Sequence, residues 1–162
     1  MAKTFNVLFL CTGNSARSIM AEALLNHLGQ GRFKAYSAGS LPAGTVHPLA
    51  LATLARADIP VAEPRSKSWH EFAGHEAPRM DFVITVCDNA ANEICPAWPG
   101  HPITAHWGVF DPAAVKGEEA GLAFMRAFVI LERRIGLFTA LNVESLERLM
   151  LQGRVREIGQ VE

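Results

Sequence analysis

Cysteine and tyrosine are scarce in this chain. Three cysteines, Cys11, Cys87 and Cys95, in 162 residues are too few, and odd in number, for a disulfide framework. They predict reduced thiols in a cytoplasmic compartment, with any disulfide transient. A strong charge of either sign is also missing. A net charge of -1 leaves no basic footprint for nucleic acid and no polybasic patch for a membrane surface. No apolar run approaches the roughly 20 residues of a spanning helix. The most apolar segment, Leu122 to Leu131, is interrupted by Arg126 and followed by Glu132, Arg133 and Arg134. The early run Phe5 to Cys11 is short for a secretory signal and lacks an Ala-x-Ala-like exit, so secretion is not expected. What remains is 49% apolar and 19% charged, a globular composition in a chain of one-domain length.

Phe5 to Leu10 is almost wholly apolar and predicts a buried strand. A helix is expected over Ala16 to Leu28, with Ile19, Met20, Ala23, Leu24 and Leu28 on one side and Gly29 and Gly31 as its stop. Phe33 to Ser37 predicts a second strand. Pro48 marks a helix start, continued by Leu49 to Ala57. Asp81 to Cys87 predicts a third strand, Pro102 to Trp107 a fourth, and Glu118 to Leu137 a long helix. Strands alternating with helices predict an α/β fold, a single-domain three-layer sandwich with a central four-stranded parallel sheet flanked by helices. The catalytic domain is expected over residues 1–140. Residues 141–162, with Leu146, Leu149, Met150, Val155 and Ile158, predict a C-terminal helical extension. The long helix is apolar on several faces. One should pack on the sheet, and the tail or the second copy of a homodimer should cover the other.

The stretch Cys11-Thr12-Gly13-Asn14-Ser15-Ala16-Arg17 falls between the first strand and the first helix. In a parallel sheet ligands bind there. The helix start directs unpaired N–H groups and the positive end of its dipole into the loop. Gly13 can adopt φ > 0, so that successive N–H groups converge. Asn14 tolerates left-handed geometry and can tie the loop internally. Arg17 offers a planar fork that matches two oxygens of a tetrahedral anion. The same field lowers a cysteine pKa, so Cys11 is the expected nucleophile. An oxygen expelled from the anion needs a proton, and Asp111-Pro112 is the only Asp-Pro pair in the chain.

These residues resemble the low-molecular-weight tyrosine phosphatase superfamily, whose signature is Cys, five residues, Arg, then Ser or Thr; Cys11, Arg17 and Ser18 match it. The resemblance implies that fold, residues 12–18 as the oxyanion site, support of the thiolate by the Ser18 hydroxyl, and Asp111 as general acid. The position that often holds a second loop cysteine is Ala16. Tyrosines that usually follow Asp-Pro in the phosphatases are replaced by Ala113-Ala114, and Tyr36 is the only tyrosine.

The stretch Val83 to Pro112, with Cys87 and Cys95, is similar to the arsenate reductases built on this fold, as are Tyr36-Ser37-Ala38-Gly39 and His106-Trp107-Gly108. That resemblance implies a relay. Cys11 attacks arsenate, for which phosphate or sulfate is a mimic. Cys87 then attacks Cys11, arsenite leaves, and Cys95 attacks Cys87. Thioredoxin, or glutaredoxin with glutathione, is the implied reductant. The same-fold alternative is a phosphomonoester phosphatase; a phosphocysteine carrier is disfavoured by Arg17 and Asp111. Some relatives bind potassium near the loop. Asn14, Glu22 and Ser37 match those positions, and the fourth falls on Lys67, whose ammonium would replace the ion. Neither a cofactor nor a metal is expected, since Cys87, Cys95, His101 and His106 lack the close spacing of structural zinc ligands.

Overall fold

The computed structural model describes residues 3–91 and 96–162; Cys95 lies outside the described residues. Four strands, β1 (Phe5–Leu10), β2 (Phe33–Ala38), β3 (Phe82–Thr85) and β4 (Ile103–His106), form one parallel sheet in the order β2-β1-β3-β4. β1 lies inside the sheet, and Val7, Leu8, Phe9 and Leu10 are buried on both faces. That is why its sequence is an apolar run rather than an alternation. β3 is shorter than the expected Asp81 to Cys87. Its chain leaves the ladder at Val86, so Cys87 is free to turn across the carboxyl edge.

Two cores result from the pleat. Val7 and Phe9 face α1 (Arg17–Leu28), α2 (Pro48–Arg56) and the long α4 (Ala120–Thr139). Leu8 and Leu10 face a thinner layer built on the 3-10 turn Trp69–Phe72, with Met80 and Val83. A single α-helical turn, α3 (Asp88–Ala91), follows Cys87. Among the described residues no helix is long and apolar enough to cross a membrane.

α4 begins two residues later than its sequence suggests, behind a 3-10 turn at Gly117–Glu119. Its buried stripe of Phe124, Ala127, Phe128, Leu131, Ile135 and Phe138 recurs at helical spacing. The tail forms α5 (Arg148–Ile158), which buries Leu151, Val155 and Ile158. The expectation that the tail covers the outer face of α4 is not met: Leu122, Val129 and Leu137 stay exposed. α5 goes instead to the β4 side, because the buried indole of Trp107 needs an acceptor there and donates to the Val155 carbonyl at 2.9 Å.

Phe138 joins these layers. Its ring lies 4.9 Å from Phe33, 5.1 Å from Phe82 and 5.8 Å from Trp107, centroid to centroid. Phe138→Ala is expected to cost about 3–5 kcal/mol of stability, read as a lowered midpoint in denaturant unfolding. A loss below about 1 kcal/mol would show that this contact is not a keystone of the core.

Candidate active site

The loop from Cys11 to Arg17 links the carboxyl end of β1 to α1, and its shape is set by where its carbonyls go. The Thr12 carbonyl accepts from Leu41 N–H at 3.0 Å, Gly13 from Ala43 N–H at 2.9 Å, Ser15 from His47 N–H at 2.9 Å and Ala16 from Met20 N–H at 2.9 Å. The Ser66 hydroxyl adds a second bond to the Gly13 carbonyl at 3.1 Å. With the carbonyls turned outward, the loop amides turn inward. Among the described residues the N–H groups of Gly13, Asn14, Ser15 and Ala16 donate to no other group of the chain. α1 starts at Ala16 without a side-chain cap, which leaves its first amides directed at the same point.

The left-handed residue of the loop is Asn14, at φ 45, and not Gly13, which has negative or extended φ. Asn14 is fully buried, which repays its strained backbone with side-chain bonds. Its Nδ2 donates to Ser18 Oγ at 2.8 Å and its Oδ1 accepts from Lys67 N–H at 2.9 Å. Ser18 thus shows a bond to Asn14, and among the described residues no bond from its hydroxyl to Cys11 is present. Gly39, the last residue of the Tyr36-Ser37-Ala38-Gly39 stretch, abuts the loop. A Cβ there would stand 2.3 Å from the Thr12 carbonyl oxygen and 2.7 Å from that of Cys11. Only glycine lets the end of β2 approach the loop this closely.

Behind the loop lies a buried charge cluster. The Lys67 ammonium donates to the Arg65 carbonyl at 3.0 Å and to Ser37 Oγ at 3.3 Å, and lies 3.8 Å from Glu22 Oε1. Ser37 Oγ donates to Glu22 Oε1 at 2.5 Å. Burial raises the Glu22 pKa, opposed by the Lys67 charge, and burial lowers that of Lys67, opposed by Glu22. The ammonium therefore sits among the residues matched to a potassium site, and its own backbone amide holds Asn14. Among the described residues no group of three or more His, Cys, Asp or Glu is arranged to hold a metal.

Cys87 reaches the loop from β3. Its Sγ accepts from Thr12 N–H at 3.3 Å and lies 3.7 Å from Thr12 Oγ1. The neighbouring Cys87 thiol first, and then burial, pushes the Cys11 thiol far above its ordinary value against the pull of the Arg17 charge. The Cys11 thiol in turn, with help from the Ala90 and Thr12 amides, pulls Cys87 down to about 5 against burial. The two thiols therefore behave as one acid that gives up a first proton readily and holds the second.

Arg17 is largely buried. Its Nη1 donates to the Val109 carbonyl at 2.8 Å, its Nη2 lies 3.6 Å from Asp111 Oδ1, and its buried Nε has no partner among the described residues. Asp111 accepts from Ala113 N–H at 3.0 Å and caps the 3-10 turn Pro112–Ala114. The half-exposed carboxylate thus stands beside the guanidinium at the mouth of the loop. Nearby, His106 bridges Thr85 Oγ1 at 2.7 Å and Asp88 Oδ1 at 2.8 Å, a link across the strand ends that sequence spacing does not reveal. The chain's single tyrosine, Tyr36, packs on Phe72 in the thin layer behind the sheet.

The family model described as "Low molecular weight phosphotyrosine protein phosphatase" matches residues 6–148. An arsenate reductase of Shouchella clausii is 37% identical over 134 residues, 82% of this chain and 93% of its own. A solved structure described as an arsenate reductase in the phosphate binding state superposes with a TM-score of 0.71 at 26% identity, covering 85% of this chain and 98% of that one. The thioredoxin-dependent arsenate reductase of Corynebacterium glutamicum superposes with a TM-score of 0.57 at 25% identity, over 80% of this chain and 59% of that one.

The shared proton gives a direct expectation. In Cys95→Ser, following thiolate ultraviolet absorbance with pH should show one thiolate gained with a midpoint near 5 and no second until strongly alkaline pH. In Cys87→Ala the Cys11 pKa should fall, since its largest upward influence is removed. Two independent titrations near the ordinary cysteine value of about 8.5 would contradict the coupling.

Proposed function

The chain belongs to the low molecular weight phosphotyrosine protein phosphatase family, and we infer that within it the protein is an arsenate reductase. The observation that carries this reading is the position of Cys87, whose sulfur accepts from the Thr12 amide beside the nucleophile and whose thiol shifts that of Cys11. Phosphomonoester hydrolysis itself needs no second thiol beside the nucleophile. A reductase needs one, because two electrons must leave sulfur for arsenic. The relatives named arsenate reductase support the same choice.

The inward amides of the loop and the Arg17 fork bind the oxyanion. As it enters, the proton on Cys11 passes to the neighbouring Cys87 thiolate, leaving Cys11 as the thiolate. Cys11 sulfur attacks arsenic, an S–As bond forms, and an As–O bond breaks. Asp111 supplies a proton so that the oxygen leaves as water. Cys87 sulfur, its proton passed to the departing arsenic group, then attacks Cys11 sulfur. The S–S bond forms and the S–As bond breaks with its electron pair remaining on arsenic. The product is arsenite. The balance is one hydrogen arsenate, two thiols and two protons to arsenious acid, one disulfide and one water. Cys95 attacks Cys87, frees Cys11, and leaves a Cys87–Cys95 disulfide for a dithiol protein such as thioredoxin. Glutathione with glutaredoxin is the other reductant of suitable chemistry.

Nothing in the loop itself discriminates arsenate from phosphate, and Arg17 and Asp111 would serve phosphomonoester hydrolysis equally well. The distinction lies in the thiols and in Ala113-Ala114, which supply no aromatic wall for an aryl phosphate. The decisive assay mixes the protein with arsenate, thioredoxin, thioredoxin reductase and NADPH. Arsenate-dependent NADPH oxidation is expected, at least about a hundredfold above the Cys11→Ser control; a parallel arm replaces thioredoxin with glutaredoxin and glutathione. Oxidation at the control rate in both arms, with fast hydrolysis of an aryl phosphate, would overturn the reductase in favour of the phosphatase.

A further inference from the structure

The match to the family ends at residue 148, where α5 begins. The chain therefore carries a helix outside the family match, and that helix sits under the segment that leads to Asp111. We propose that α5 and the residues after it are a positioning element for the acid, setting the backbone of residues 107–111 against the loop. The proposal rests on the reading of Asp111 as the general acid.

Four contacts place the tail there. The Trp107 indole donates to the Val155 carbonyl at 2.9 Å, and both residues are fully buried. Val155 is in the last turn of α5. The amide that would close its carbonyl in a longer helix belongs to Gly159, which donates to Arg156 instead. Trp107 thus satisfies a carbonyl that a helix end leaves open. Arg134, also buried, donates through Nε to the Val161 carbonyl at 2.7 Å and through Nη1 to the Gly108 carbonyl at 3.1 Å. Arg156 Nε donates to the Thr104 carbonyl of β4 at 3.1 Å. Finally, Gly159 lies so close to the strand end that a Cβ would stand 2.4 Å from the His106 carbonyl oxygen and 2.9 Å from the Trp107 ring.

The opposite side of the same segment is bonded to the site. Trp107 N–H donates to the Thr85 carbonyl at 2.7 Å and Val109 N–H to the Val86 carbonyl at 3.0 Å. The Val109 carbonyl accepts from Arg17, whose other nitrogen faces Asp111. Residues 107–109 are therefore held between the tail and the anion loop, two residues from the carboxylate. The Asp111 carboxylate is half-exposed and, among the described residues, is held by the Ala113 amide and Arg17. Its position follows from that of the segment before it. Displacing a reacting group by about 1 Å costs up to a hundredfold in rate, so a small shift of the tail should reach the proton-transfer step and leave the loop unchanged.

The test is a double-mutant cycle on the full chain. Gly159 has φ -63, which alanine adopts readily, so the effect of Gly159→Ala comes from its Cβ pushing the tail and the His106 carbonyl apart. Trp107→Phe removes the indole donor and keeps an aromatic ring. For each variant, and each combined with Asp111→Asn, arsenate-driven loss of thiols is followed in one turnover without external reductant. Alkylation of the loop thiols, and its protection by inorganic phosphate, report the loop. Each single variant is expected to slow the turnover about tenfold with alkylation and phosphate protection unchanged, and to add no further loss in the Asp111→Asn background. Losses that multiply with that of Asp111→Asn, alkylation and protection that change together with the rate, or no loss in either variant would overturn the proposal. Asp111→Asn without any loss of its own would remove the acid reading, and the tail's role with it, which separates that failure from a failure of the tail alone. Should Trp107→Phe not fold, Gly159→Ala carries the cycle by itself.

Discussion

The outward bonding of the loop carbonyls is the constraint on which the rest of the site depends. Amides cannot converge on an anion unless their carbonyls find partners elsewhere. Here Leu41, Ala43, His47 and Ser66 provide those partners. The segment from Leu41 to His47 is in turn fixed at its far end, where His47 Nδ1 accepts from Leu49 N–H at 3.1 Å and caps α2, and its ring packs 4.6 Å from that of Phe124. The anion cradle is thus tied to the helical core on one face. The bonds of Gly39 to Lys67 and Trp69 tie it to the thin layer on the other.

Two further arrangements use this cradle. Behind it, the Lys67 amine touches Ser37 and Glu22, and its backbone amide holds Asn14 of the loop. Breaking a buried pair of this kind leaves an uncompensated charge, so the cluster is a costly one to disturb. In front of it, Cys87 places a second sulfur against the nucleophile. The two thiols influence each other so that one gives up its proton readily while the other holds it, and Cys87 is the thiol that can close a disulfide on the nucleophile.

Much of this could be read along the chain. β1 shows itself as an apolar run because both of its faces are buried, and α1 through its spacing and its stop at Gly29. Cys11, Arg17 and Asp111 follow from chemistry that needs those groups at strand ends. Bonds between distant segments could not be read. The requirement for glycine at Gly39 comes from a backbone that is adjacent only in space, and the left-handed turn fell on Asn14 because its side chain, unlike that of Gly13, can bond to both Ser18 and Lys67. Likewise α4 looked able to bury several faces, yet Leu122, Val129 and Leu137 remain outside. The tail is drawn to Trp107, whose indole hydrogen has no periodic signature.

The central claim is that the chain itself delivers two electrons through Cys11 and Cys87. It is tested most directly by mixing the reduced Cys95→Ser variant with arsenate and no external reductant, then measuring arsenite and mapping disulfides by mass spectrometry. The account predicts about one arsenite per chain and a Cys11–Cys87 disulfide, with neither formed when Cys87 is also replaced by serine. Arsenite formed without that disulfide, or no arsenite at all from a protein that still protects Cys11 with phosphate, would contradict it.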